Sequence, residues 1–422
     1  MIVFYRLGFS FLFLVTIFFG PLFSKKIRAG FRLRRERLKA PFLPAFENSF
    51  VVHAASGEYE YARPLIQELK KNFPQTPVIV TFFSPTYVKV IDKDPLVDLA
   101  VPLPFDFPGP VRGFLKKVRP LAVFIARTDL WPEFLRQCRQ KKIPLILFSY
   151  YENPKKPLLG RFLRHRLLRQ ISHVDCVGPV TAERLLRSGL PSVTAFGDTR
   201  FDRVQERKLH PKTLPFSLPK EQTLILGSTW KEDEDALLPA LAATQELWRQ
   251  VVIAPHEPSP DHLKDLQKRL KHLGLSFQLF SETTTMPSAK VLIVDQVGWL
   301  FDLYRMGEVA FVGGSFKGSV HSVMEPLAFG LRVLVGPFIK NNAEALEFQK
   351  MTFEGSSAVE SVKNTAALKQ ALKNHFSKPL EERIKIQNRI EGEVLSRAGA
   401  SRKLMEWFAK THPHPRSTFP RK

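Results

Sequence analysis
The sequence predicts an α/β protein of two doubly wound domains facing each other across a cleft, preceded by an N-terminal anchor helix. Three observations carry that expectation. From Phe50 to about residue 203, short apolar runs alternate with helical patterns, the rhythm of parallel strands joined by right-handed helical crossovers. The rhythm halts over a proline-bearing stretch, 205–222, and a second series begins at Thr223. The 422 residues are also more than one ordinary core encloses.

The first 40 residues stand apart. Leu7 to Phe23 is almost wholly apolar, and at ~1.5 Å per residue it reaches about 25 Å, close to the thickness of a bilayer core. Eight basic residues follow between Lys25 and Lys39, with Glu36 the sole acid. A spanning anchor, a helix lying in the interface and a cleaved signal all begin this way. The basic cluster follows the apolar core, where a cleavage site would need small residues, and this favours an anchor whose basic flank meets anionic lipid on the cytoplasmic side.

Within 46–204, strand candidates are Phe50–Val52, Val78–Phe82, Leu121–Ile125, Leu145–Phe148 and Val174–Val177. Helical patterns run between them, for example Tyr61 to Leu69, Pro132 to Arg139 and Leu158 to Ile171. After the 205–222 linker, a second domain over 223–395 offers Thr223–Leu226, Val251–Ile253, Val291–Val294, Val309–Val312 and Val333–Val335. A C-terminal helix, 396–411, is set off by a break around Gly392 to Gly399, and 412–422 is a loose basic tail.

Composition narrows the function. The formal charge of +23 suits nucleic acid, an anionic membrane surface or an anionic substrate. Phenylalanines fall in the apolar N-terminus and on strand and helix faces rather than in a basic–aromatic platform, which argues against nucleic acid. Cys138 and Cys176 have no metal-ligand spacing and read as buried apolar residues in a reducing compartment. No HxxxH, CxxC or clustered-aspartate motif calls for a protein-held metal.

Candidate chemistry gathers where strands end. The strand Phe50–Val52 leads through Ser56 and Gly57 to Glu58, an acid at the carboxyl edge of a parallel sheet, where open α/β sheets bind ligands. Placed there, a carboxylate is suited to take a proton from an acceptor hydroxyl. His53 reads as a buried, hydrogen-bonded strand residue. In the second half, Gly313-Gly314-Ser315-Phe316-Lys317-Gly318-Ser319 follows a strand and has the small residues that let backbone N–H groups approach an anion. His321 and Glu325 are expected on one face of a helix opening near Ser322. Ser228 or Thr229 is expected to cap the helix from Glu232, or to bond a phosphate. Together with Ala254–Pro258, these loops suggest a nucleotide site.

The ordered blocks resemble a known family. His53-Ala54-Ala55-Ser56-Gly57-Glu58, Arg63-Pro64-Leu65-Ile66, Val80 to Thr86, Asp129-Leu130-Trp131-Pro132 and Gly197 to Val204 are followed by Gly227-Ser228-Thr229-Trp230, Ala254-Pro255-His256-Glu257 and Phe311 through His321, Glu325 and Pro337. The set is similar to the 3-deoxy-D-manno-octulosonate (Kdo) transferases of lipid A assembly. The resemblance implies a GT-B glycosyltransferase with two Rossmann-like domains, moving Kdo from CMP-Kdo to a lipid A precursor of lipid IVA type. It implies an inverting mechanism with Glu58 as base, no metal or resident cofactor, and anchorage at the cytoplasmic face of the inner membrane. CMP binding is implied at Pro255, His256, Val297, Gly298, Trp299, Ser322, Val323, Met324 and Glu325. Phosphate or acceptor contacts are expected at Ser56, Gly57, Ser228, Thr229, Gly314, Ser315 and His321. The chain departs from the family pattern in a Ser56-Gly57-Glu58 turn one residue shorter than usual, in His256 where arginine is usual, and in Asp129 where glutamate is usual.

Overall fold
The computed structural model describes Tyr5, Arg6, Gly8 and residues 25–39, 46–152 and 158–412. Most of the apolar N-terminal run, and the tail beyond His412, lie outside the described residues. Among the described residues, no helix is long and apolar enough to cross a membrane. The chain divides into two compact units, Met1–Arg203 with Arg397–Lys422, and Val204–Ser396.

The first unit is a seven-stranded parallel sheet. Its strands are β1 (Phe50–His53), β2 (Val78–Phe82), β3 (Leu99–Pro102), β4 (Ala122–Ala126), β5 (Leu145–Tyr150), β6 (His173–Cys176) and β7 (Val193–Thr194), ordered β3-β2-β1-β4-β5-β6-β7. The strand order reverses between β1 and β4, so loops leaving these two strands diverge and open a crevice at their carboxyl ends. A sheet covered on both faces needs strands apolar at every position. Phe50 and Val52 enter one core with Phe82, Phe124 and Phe148, while Val51 enters the opposite core with Ile79, Val123 and Leu147. Cys138 and Cys176 are buried, and burial raises both thiols, Cys176 to about 12.

The second unit repeats the architecture with β8 (Thr223–Thr229), β9 (Gln250–Pro255), β10 (Phe277–Leu279), β11 (Val291–Ile293), β12 (Val309–Val312), β13 (Arg332–Val335) and, after the short hairpin β14 (Thr352–Phe353) and β15 (Ser356–Ser357), β16 (Val359–Ser361). The order is β10-β11-β9-β8-β12-β13-β16, again all parallel, with the reversal between β8 and β12.

Two expectations need correction. The linker placed at 205–222 is partly helical, because the helix Thr199–Leu209 runs into it. Its charged side chains find partners that a loose linker would not supply, Arg207 with Glu325 and Lys208 with Glu391. The C-terminal helix is Ala400–Thr411 and it packs into the first unit. Phe408 meets Phe50, Phe73 and Phe124 edge-on at 5.1–6.4 Å, and Trp407 stacks on His173 at 3.5 Å. Asp202 anchors the start of this helix by accepting from the Ser401 N–H at 2.7 Å.

Because Phe408 is fully buried in that core, Phe408→Ala should lower the unfolding free energy by about 3–5 kcal/mol. Urea denaturation checks the value.

Candidate functional site
In the first unit the chain leaves β1 through Ala54 and Ala55 and enters the helix Tyr59–Asn72 at Glu58. Glu58 is half-buried and sits at the helix start, ahead of its first turn. Its Oε2 accepts from the Ser56 N–H at 2.9 Å, so the short turn bends the acid back over its own entry. The Ser56 and Gly57 carbonyls accept the Tyr59 and Glu60 N–H groups, which makes the turn a continuous lead-in to the helix. The Ala55 carbonyl accepts from both Phe83 and Ser84, fixing the loop after β1 to the loop after β2.

Beside this turn, His53 is buried, as the sequence indicated. Its Nε2 lies 2.8 Å from Asp129 Oδ2 and its Nδ1 lies 2.9 Å from Thr81 Oγ1. An ionised aspartate only accepts, so Nε2 donates to Asp129, and Nδ1 lies within reach of both the Thr81 hydroxyl and, at 3.1 Å, the Thr81 carbonyl. Trp131 Nε1 also donates to Asp129, at 3.1 Å. Burial works to raise the Asp129 carboxyl, but the bonds from His53 and Trp131 outweigh it and hold it below the ordinary aspartate value. Sequence reasoning missed Arg127, which follows β4 with φ +67°; its guanidinium lies 4.7 Å from the Tyr61 ring centre and pairs with Asp198 at 3.5 Å. A cation directly after a strand at the reversal of strand order was its only sequence signal.

In the second unit the loops after β8, β9 and β12 converge. His256 and His321 stack at 4.2 Å, Trp230 tilts against His256 at 4.9 Å, and Trp230 Nε1 donates to His321 Nε2 at 3.1 Å. Lys317 Nζ sits 3.2 Å from the Trp230 ring centre. Burial, then the neighbouring His256 and Lys317, push the His321 ring down to about 4, so it is neutral at pH 7. The result is an aromatic and cationic cluster with His256 and Lys317 exposed.

The glycine-rich loop is built differently from the expectation. Most of its N–H groups bond the protein itself: Gly314 and Phe316 donate to Asp233 at 2.7 and 2.9 Å, and Gly313 to the Gly227 carbonyl at 2.8 Å. Asp233 is itself buried and also accepts from the Trp230 N–H at 2.9 Å. Burial raises its carboxyl even against those three donors. The glycines are needed for packing. A Cβ on Gly313 would lie 2.2 Å from the Ser228 carbonyl oxygen, and Gly314, at φ +77°, would meet Ser319 O at 2.3 Å. Ser315 is fully buried and bonds Val312 O and the Gly336 N–H, so it braces the loop. Thr229 is buried and donates to Glu234. Neither Ser228 nor Thr229 caps the next helix, Lys231–Ala242; Trp230 precedes it and Asp233 accepts its N–H. Ser228 stands at φ +54° and its carbonyl packs against Gly313.

His321 and Glu325 do not share a helix face. The helix is the short Met324–Leu327, and His321 precedes it. His321 turns to Trp230, while Glu325 pairs with Arg207 at 2.8 Å, whose guanidinium covers Phe301 at 3.8 Å. Val323 and Met324 are buried, which leaves a ligand only their backbone; Ser322 is half-buried. Pro255 ends β9 with its ring buried. Val297 is exposed, and Gly298 (φ +90°) gives its carbonyl to Lys212 Nζ at 2.6 Å. Trp299 tilts on Phe280 at 5.3 Å, donates to Gln296 and lies 5.0 Å from Lys212 Nζ. No group of three or more histidine, cysteine or carboxylate side chains suited to a metal exists among the described residues.

Comparison with known proteins bears on this geometry. The family model described as 3-deoxy-D-manno-octulosonic-acid transferase (kdotransferase) matches residues 28–203, the stretch that contains Glu58 and the His53–Asp129 pair. The chain is 25% identical over 374 residues to the 3-deoxy-D-manno-octulosonic acid transferase of Haemophilus influenzae, covering 84% of this chain and 85% of that one. It is 25% identical over 352 residues to the transferase of the same name from Aquifex aeolicus, covering 82% and 91%. Over most of its length the chain is similar to the Kdo transferase family. This is a glycosyltransferase family. The crystal structure of UDP-GlcNAc 2-epimerase from Neisseria meningitidis is similar in fold, with TM-score 0.60 and 16% identity over 86% of this chain and 99% of that one. The common element is a pair of Rossmann-like α/β domains of GT-B-like type.

The His321 ring binds its proton less readily folded than unfolded, where its value is 6.5. Its contribution to stability should therefore fall as pH drops from about 6.5 to about 4. His321→Gln should flatten that part of the stability–pH curve, measured by urea denaturation across pH 4–7.

Proposed function
We propose that this chain transfers Kdo from CMP-Kdo to a lipid A precursor of lipid IVA type, with inversion at the anomeric carbon and Glu58 as general base. One observation carries the reading. Glu58 is held by the Ser56 N–H at the carboxyl end of β1, beside the reversal of strand order, within the stretch 28–203 that matches the Kdo transferase family model. In the reaction, the acceptor hydroxyl oxygen attacks the anomeric carbon while the Glu58 carboxylate takes its proton. The bond from that carbon to the phosphate oxygen of CMP breaks, and CMP leaves with the electron pair. The exposed Lys317 is the cation suited to the leaving phosphate, with the exposed His256 ring beside it as a hydrogen-bonding group, and Pro255, Val297 to Trp299 and Ser322 to Glu325 are the loops suited to the rest of CMP. The nucleotide already activates the donor, so no resident cofactor enters the scheme.

We assign the site of action to the cytoplasmic face of the inner membrane, with residues 1–40 as the attachment. The apolar run and the basic residues that follow it support that assignment. So does a depression of about 530 Å³ on the first unit, lined by Arg136, Arg139, Arg166, Arg169, His165 and Phe162, whose chemistry suits anionic lipid.

Glu58→Gln should lower kcat for Kdo transfer by about 10²- to 10⁴-fold, with melting temperature and CMP affinity unchanged. Mass spectrometry of the lipid product checks the first, and wild-type transfer by this variant would remove Glu58 as the base. In competition binding, CMP should displace a labelled nucleotide better than UDP or GDP; the opposite ranking would overturn the donor.

A further inference from the structure
In the basic helix Lys25–Lys39, Arg34 does not face solvent. Arg34 is 7% exposed, its Nη1 donates to the Leu103 carbonyl at 2.6 Å, and its Nη2 reaches the Phe83 carbonyl at 3.4 Å. The guanidinium lies 4.7 Å from the Phe105 ring centre and 4.8 Å from that of Phe83. Burial lowers Arg34 to about 10, so it remains charged at neutral pH. The Phe83 ring in turn stacks on Trp131, centres 5.1 Å apart and planes 23° apart.

Two routes lead from Arg34 to the carboxyl end of β1. Through the rings, Trp131 bonds Asp129 and Asp129 bonds His53, the last residue of β1. Through the backbone, Phe83 donates to the Ala55 carbonyl, three residues before Glu58. Phe83 is 46% exposed, so its orientation rests on these contacts rather than on enclosure. Arg37, on the same helix, provides a contrast. It pairs with Asp92 at 2.5 Å and donates to the Ala100 carbonyl at 2.8 Å, outside the ring column.

We propose that Arg34 is a positioning residue for transfer, clamping the Phe83–Trp131 stack so that the Asp129–His53 pair and the Glu58 turn hold one geometry. The helix ahead of the first strand thereby acts on the reaction rather than serving only as a charged flank. The proposal rests on the Glu58 reading above. It draws its energetic sense from the guanidinium plane, which stacks on two rings and bonds two carbonyls at once, an arrangement that a lysine ammonium cannot reproduce.

The test uses the detergent-solubilised full-length protein and the variants Arg34→Ala, Arg34→Lys and Arg37→Ala. Two readouts are taken, steady-state transfer from CMP-Kdo and the ¹⁵N NMR signals of the His53 ring, assigned by their loss in His53→Gln. Arg34→Ala should lower kcat about tenfold or more, leave KM for CMP-Kdo within twofold, and move the His53 signals. Arg34→Lys should recover part of the melting temperature but not kcat, and it decides the matter if the alanine variant does not fold. Arg37→Ala should keep kcat within twofold. Wild-type kcat with unmoved His53 signals in both Arg34 variants would overturn the inference, as would an equal loss in Arg37→Ala, which would reduce Arg34 to a docking contact. A wild-type protein that transfers no Kdo would instead refute the functional reading, while the His53 signals would still decide the positioning role.

Discussion

A parallel sheet leaves its loops unsupported where the strand order reverses, and in the second unit one buried carboxylate fills that gap. Asp233 accepts from the Trp230 N–H after β8 and from the Gly314 and Phe316 N–H groups after β12, the two strands on either side of the reversal. Much of the geometry of the neighbouring loops follows. With Trp230 pinned by its backbone, its indole faces His321, His321 stacks on His256, and Lys317 covers the indole. The carboxylate thus takes N–H groups that the glycine-rich loop would otherwise present at the sheet edge. Removing one such partner from a buried network costs more than the single bond, because the remaining groups are left unsatisfied.

The first unit meets the same constraint with a different device. At its reversal the β1 and β2 loops are tied by a carbonyl, that of Ala55, and the acid that follows remains half-buried at the edge. The local carboxylate–imidazole pair, Asp129 with His53, stands one strand away and takes the bracing role. One unit thus buries its acid within a loop junction, and the other leaves an acid half-buried at the sheet edge.

The fold was largely legible in the sequence because parallel strands buried on both faces read as continuous apolar runs, as at Val78–Phe82 and Leu145–Tyr150. Edge strands such as β7 and β10 were not legible: they are two or three residues long and only partly buried, too short to establish a period. Glu58 was legible as an acid after a strand. Its bond to Ser56 was not, since an identical sequence in a wider turn would direct the carboxylate elsewhere. Misreadings arose where a residue type suits two jobs. Glycines 313 and 314 suggested an anion cradle, yet the close approach of β8 demands the first and a positive φ beside Ser319 the second. Arg34 was hidden among eight basic residues, because a charge count does not tell which cation is buried.

The helix Ala400–Thr411 carries a consequence for biosynthesis. Phe408 belongs to the same core as Phe50, Phe73 and Phe124, yet it leaves the ribosome after the whole of Val204–Ser396. A nascent chain holding only residues up to Arg203 has an apolar face with nothing to cover it, and it waits about two hundred residues for its last helix. At translation rates of about 5–20 residues per second, that wait is on the order of ten to forty seconds. The order of folding is thereby reversed from the order of synthesis: the unit made second is the first whose entire chain has emerged, and the unit begun first is the last to close.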